Sequence, residues 1–163
     1  ARGPGEPWDA AVHLDPAAFQ TTALVTRFAA LQAAIAGAGA PALVVERSLD
    51  GDRAVFAAET IPVGGPAMAA YDLAWSQLTA AVLPHTAYYI FLDCPVDIML
   101  ARVGQRGRPE ESGLTEQYLA RLAARYDQWA AGLPQDRTLR IDASLGAEHV
   151  AAEAAAWGFT INA

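Results

Sequence analysis

Residues 41–58 read PALVVERSLDGDRAVFAA. The apolar run Pro41–Val45 stands between a glycine-rich helix stop and a polar cluster, which predicts a short buried parallel strand. Glu46, Arg47 and Ser48 follow at its carboxyl end, then Asp52 and Arg53. A carboxylate beside an arginine at a strand end has two readings. It holds a metal and an anion together, or it is an internal ion pair that closes the strand-to-helix turn.

Outward from this stretch, helices and strands alternate. Residues 1–14 are an irregular lead-in rich in Gly, Pro and Ala. Asp15-Pro16 reads as an N-cap with proline in the first turn. Phe19, Leu24, Val25, Phe28, Leu31 and Ile35 then recur at helical spacing, and Gly37–Gly39 stop the helix. Residues 66–83 form a second helix with Tyr71, Trp75 and Leu78 on one side. The AYYIFL run at 87–92 is the clearest strand, ended by Asp93-Cys94-Pro95. A helix over 96–105, an arginine-rich loop over 106–113 and a long helix over 114–131 follow. A short strand at 138–141 and an alanine-rich helix at 146–157 complete the chain. The alternation predicts an α/β fold in one domain, 1–163, whose parallel sheet is covered by helices on both faces. Ligands then belong at the carboxyl ends of the strands, where Glu46-Arg47, Asp93 and Asp142 stand.

Composition narrows the function classes. The chain has 163 residues, a net charge of −7 and 53% hydrophobic residues. An acidic protein of this kind lacks the basic face of a duplex nucleic-acid binder, but a local arginine cluster can still hold a small anion. No apolar run reaches the length of a membrane span. Cys94 is the only cysteine, so no internal disulfide forms. All eleven basic residues are arginine, so no residue of this sequence serves as a Walker lysine.

Two further constellations carry chemistry. Residues 101–113, ARVGQRGRPEESG, hold Arg102, Arg106 and Arg108 among three glycines. Guanidinium forks match phosphate oxygens and stay charged when desolvated. The alternative is a solvated loop neutralised by Glu110 and Glu111. Gln20 and Arg27 stand seven residues apart, two turns along one helix face. An amide suits the edge of a nucleobase. The alternative is a polar, exposed helix face.

Taken in order, FQTTALVTRF (19–28), ERSLDGDRAVF (46–56) and RVGQRGRPEESGLTEQYLARL (102–122) resemble the deoxynucleoside kinases of the deoxycytidine and deoxyguanosine kinase group. The similarity runs from about residue 15 to 145. It implies a three-layer fold of the P-loop nucleoside-kinase type, with ATP as phosphate donor, Mg²⁺ and a role in nucleotide salvage. Gln20, Arg27 and Asp52 would bind the base, walled by Phe19 and Phe56. An aspartate there accepts from an exocyclic amine, which favours cytosine, adenine or guanine over thymine. Arg47 would steady the 5′-hydroxyl or the phosphoryl group, and Glu46 would help hold Mg²⁺. Arg102, Arg106 and Arg108 would close as a lid over 102–113, Glu111 would reach the sugar 3′-hydroxyl, and Glu6 would take the 5′-hydroxyl proton. The resemblance also implies a homodimer built on the helices around 66–83, in the cytoplasm or the mitochondrial matrix.

The family pattern begins with a strand, a GxxxxGK[ST] loop, a helix and a second strand. None of these precedes Glu6 in this sequence. Because the first strand lies inside the family's sheet, its absence is expected to leave two strands with unpaired backbone groups. The preferred reading is a kinase whose N-terminal portion lies outside this sequence. The alternative is a catalytically silent, kinase-like subunit of a larger assembly, such as an accessory subunit of mitochondrial respiratory complex I.

Overall fold

The computed structural model describes residues 15–37, 43–82 and 88–161. They fall into two compact units, Ala1–Thr86 and Ala87–Ala163.

In the first unit, α1 (Pro16–Gly37) begins where Asp15 Oδ1 accepts a hydrogen bond from the Ala18 N–H at 3.0 Å. Its inward face carries Gln20 and Leu24, with Phe28 and Leu31 packed behind them. The next helical run has three parts: α2 (Leu49–Gly51), a π-helical segment (Asp52–Ala57) and α3 (Ala58–Thr60). Ser48 caps this run, its Oγ accepting from the Gly51 N–H at 2.9 Å. A turn through Gly64, at φ 78°, leads to α4 (Pro66–Ala80). Leu24, Leu49, Ala57, Ile61, Tyr71 and Val82 interlock as the core of this unit. Side chains from α4 then fasten the π-helical segment. Trp75 Nε1 donates to the Leu49 carbonyl at 3.0 Å. The Arg53 guanidinium lies 5.0 Å over the Trp75 ring, and its Nε donates to Asp72 at 2.8 Å.

In the second unit, β1 (Tyr89–Asp93) and β2 (Thr138–Asp142) pair in parallel, from Tyr89 opposite Thr138 to Asp93 opposite Asp142. Three helices accompany them: α5 (Val96–Arg106), α6 (Glu116–Ala131) and α7 (Ala147–Ile161). Phe91 meets Trp129 and Tyr126 of α6 edge-on, with centroids 5.0 and 6.3 Å away, and Tyr89 adds a third edge contact with Trp129 at 5.6 Å. Such offset aromatic contacts add to the gain from burial alone. On α7, Trp157 meets Tyr88 in the same edge-on manner at 5.7 Å.

The α/β expectation holds, and the helices and both downstream strands form close to where the sequence places them. Two expectations fail in detail. The strand expected at Pro41–Val45 is not formed over 43–45, where the chain is irregular and Val44 is 94% exposed; residues 41 and 42 lie outside the described residues. An apolar run becomes a buried strand only beside a neighbour that takes its backbone hydrogen bonds, and β1 and β2 pair only with each other among the described strands. The same reason limits β1. It was expected to be covered on both faces, yet Phe91 is buried while Ile90 and Leu92 are exposed.

Phe91, with Tyr89, joins β1 to α6, and Phe91 is the more buried of the two. Phe91→Ala is expected to cost about 3–5 kcal/mol, read as a lowered urea midpoint by circular dichroism.

Candidate functional site

The first unit brings together three of the residues expected to bind a base. Gln20, Leu24 and Arg27 share one face of α1, and that face turns inward: Gln20 is only 6% exposed. The reading of an exposed polar face therefore does not hold. Arg27 reaches Asp52 at the start of the π-helical segment, Nε to Oδ2, at 2.6 Å. Asp52 is 3% exposed and Arg27 is 30% exposed, so the carboxylate is sealed while the guanidinium keeps access to solvent. The contact is a close ion pair without an aligned N–H···O bond, and both atoms retain unused hydrogen-bonding capacity. Burial pushes the Asp52 carboxyl above the usual carboxylate range, and the charges of Arg27 and Arg47 oppose that rise.

Phe19 and Phe56 are both half-buried. Phe19 lies on α1 beside Gln20, and Phe56 lies on the π-helical segment, four residues after Asp52. The Arg47 guanidinium stacks 4.8 Å above the Phe56 ring. Arg47 has φ 59°, the one non-glycine positive φ among the described residues. A left-handed residue of this kind costs on the order of 1–3 kcal/mol and is held by its surroundings. Glu46 is exposed and makes no ion pair with Arg47. The reading of an internal Glu–Arg pair at this turn is therefore not what forms. Glu6 lies outside the described residues.

The second unit holds the arginine cluster, though not all of it in one place. α5 continues to Arg106 and ends at Gly107, whose φ of 58° supplies the left-handed cap. Arg102 and Arg106 thus sit on a helix, and only Arg108 lies on the loop beyond it. Glu111 gathers two of them. Arg106 reaches its Oε2 through Nη2 at 3.1 Å and Nε at 3.2 Å, and Arg108 Nη1 lies 3.5 Å from its Oε1. This is the neutralised loop of the alternative reading as far as Glu111 is concerned. Arg102 points elsewhere: its Nη2 donates to the Ala143 carbonyl at 2.9 Å, and its Nη1 lies 3.5 Å from the Cys94 sulfur. An open cleft of about 430 Å³ beside the cluster is lined by Leu100, Val103, Arg108, Glu111 and Leu114.

The carboxylates at the strand ends have structural work. Asp93 takes a two-pronged contact from Arg140, at 2.7 and 2.8 Å, and Arg140 also pairs with Asp127. Ser144 holds the Asp142 carboxyl below its usual range by hydrogen bonding, its N–H donating to Asp142 Oδ1 at 2.8 Å. No group of three or more metal-binding side chains occurs among the described residues.

A sequence description of the deoxynucleoside kinases matches residues 16–154. The chain belongs to the deoxynucleoside kinase family. It shares that family's P-loop class of α/β fold, seen here as a parallel strand pair with flanking helices. No individually curated protein matches it. The match spans the glutamine-bearing helix, the Glu-Arg-Ser stretch and the arginine loop, and it begins after Glu6. Family members use ATP and Mg²⁺. Magnesium is commonly held by one or two carboxylates, with waters and substrate phosphates as the other ligands. The exposed Glu46 carboxylate suits that limited role. Among the described residues no helix is long and apolar enough to cross a membrane.

The sequence reading has Tyr71 on an apolar helix side and Arg53 after Asp52 but gives neither a polar partner, and it does not single out Asp72. Tyr71 follows the helical spacing of apolar residues, and its hydroxyl is invisible to that pattern. Arg53 and Asp72 are nineteen residues apart, with no local signal that joins them.

Asp52 provides a test by linkage. Burial raises its folded-state pKa above the ordinary value of 3.8, so stability is lost as the pH climbs from 3.8 through the folded value, and the penalty is complete above it. Asp52→Asn is therefore expected to be more stable than the parent at pH 7, with the advantage fading below pH 3.8. Urea melts across that pH range check the sign.

Proposed function

We propose that this chain carries the nucleoside-recognising and phosphate-handling residues of a deoxynucleoside kinase. The reaction is ATP- and Mg²⁺-dependent transfer of a γ-phosphoryl group to the 5′-hydroxyl of a deoxynucleoside with an amino-bearing base. The observation that supports it most is the sealed Asp52 carboxylate, paired with Arg27 beside the inward-facing Gln20. A scaffold gains nothing from burying an ionised carboxylate that hydrophobic residues could replace.

In this reading Gln20 offers the base a paired donor and acceptor, and Asp52 accepts from the exocyclic amine. Arg27 keeps Asp52 ionised and in place. The rings of Phe19 and Phe56 wall the base. Arg47, held over Phe56, steadies the 5′-oxygen. Arg106 and Arg108 exchange the Glu111 carboxylate for phosphate oxygens, and Glu111 is then available to the sugar 3′-hydroxyl. Arg102, which ties α5 to the Ala143 carbonyl, is proposed to join Arg106 and Arg108 at the phosphates. Glu46 would hold Mg²⁺, which supplies charge neutralisation on the transferring group when bound. Glu6 is the proposed acceptor of the 5′-hydroxyl proton. The phosphate-binding loop of the family is not among these 163 residues, and the reading assigns ATP binding to none of them beyond the arginines named. The working enzyme is proposed to be a homodimer or part of a larger complex, in the cytoplasm or the mitochondrial matrix.

Calorimetric titration with deoxycytidine, deoxyadenosine, deoxyguanosine and thymidine tests the reading. Heat is expected for the amino-bearing nucleosides. Silence from all four would favour the non-catalytic subunit. Asp52→Ala is expected to weaken the amino-bearing nucleosides by about tenfold or more, the worth of a hydrogen bond to a charged group, and to narrow the gap to thymidine. Unchanged selectivity would remove Asp52 from base recognition.

A further inference from the structure

Three buried polar atoms of the first unit find no hydrogen-bond partner among the described residues: Arg27 Nε, Asp52 Oδ2 and the Tyr71 hydroxyl. They come from three elements, α1, the π-helical segment and α4. They also border one core. Leu24 lies three residues before Arg27, Leu49 lies three residues before Asp52, and both pack in one cluster with Tyr71, which is itself 1% exposed. Interior polar atoms are nearly always satisfied, by protein or by ordered water. Arg27 Nε and Asp52 Oδ2 meet each other at 2.6 Å without an aligned hydrogen bond, and the Tyr71 hydroxyl has no partner among the described residues; one bridging water would satisfy it.

We propose that Tyr71 is a positioning residue for Asp52, its hydroxyl donating to an ordered water that in turn donates to the Asp52 carboxylate. The water accepts from Tyr71 and donates to a carboxylate already paired with Arg27 at 2.6 Å, so the orphaned hydroxyl gains a partner. The arrangement holds Asp52 ionised and fixed as an acceptor. Its use in selecting an amino-bearing base rests on the kinase reading above; the Tyr71–Asp52 coupling itself does not.

The charges around the pair agree with this assignment. Asp52 is faced by Arg27 from α1 and by Arg47 from the stretch before α2. Tyr71 is faced by Asp52 and Arg53 from the π-helical segment, by Asp72 from α4 and by Arg27 from α1. Burial and the Asp52 charge push the Tyr71 hydroxyl up, so it remains a protonated donor over the whole physiological range. A donor aimed at a carboxylate that burial makes reluctant to ionise lowers the cost of its charge.

The test is Tyr71→Phe, which removes the oxygen and keeps the ring. Carbon-13 NMR of the Asp52 carboxyl is followed against pH in both proteins. The variant is expected to remain folded, because no direct bond to another side chain is lost. Its Asp52 titration is expected to move upward by about half to one pH unit, the worth of one hydrogen bond. Deoxycytidine affinity at neutral pH is expected to fall about threefold to tenfold on the same scale, with thymidine unmoved. Superimposable Asp52 titrations would overturn the proposal. So would loss of the fold, which would put the hydroxyl in a direct structural bond. A parent protein that binds no nucleoside but still shows the titration shift would remove the kinase reading and leave the coupling standing.

Discussion

Burying a carboxylate sets the terms for the first unit. Asp52 loses nearly all its water on folding, and an ionised group in that position demands a cation close by. Arg27 answers from a different helix, which ties the register of α1 to the start of the π-helical segment. Everything near the pair then has a geometric duty. Ser48 fixes where the helical run begins, Trp75 holds the Leu49 carbonyl, and Arg53 locks onto Asp72. Loosening any of these shifts Asp52 against a partner only 2.6 Å away.

The second unit rests on a different balance. Its strand pair is short, and aromatic side chains from α6 supply the cover that one face needs. Its arginines are not a free cluster. Glu111 occupies two of them and the Ala143 carbonyl occupies a third. An acidic protein thereby carries guanidinium groups near one another without leaving them bare. A bound anion must compete with a carboxylate already in place, which favours highly charged ligands over weakly charged ones.

Much of the candidate site was legible in the sequence because spacing carries it. Gln20, Leu24 and Arg27 repeat at four and three residues, so one inward face follows once α1 is granted. Asp52 was legible through the Glu-Arg-Ser stretch and the resemblance, not through its burial, which no local pattern encodes. The apolar run at Leu43–Val45 misled because burial of a strand depends on its neighbour rather than on its own composition. α5 extends to Arg106 because Gly107 ends it, one residue later than the sequence suggested. The Tyr71 hydroxyl was hidden inside a stripe that periodicity treats as hydrocarbon.

The π-helical segment has a consequence for chain length. Its wider turn accommodates an extra residue relative to an α-helix, in which each residue advances the helical wheel by about 100°. The wider turn takes up that residue while the turns on either side of Asp52–Ala57 keep nearly the phase of an unbroken helix. Excising one residue from this stretch would restore ordinary winding with little rotation of the flanks, and the side chains within it would lose the directions that the wide turn gives them. The spatial address of the acidic side chain is thus written in a residue count.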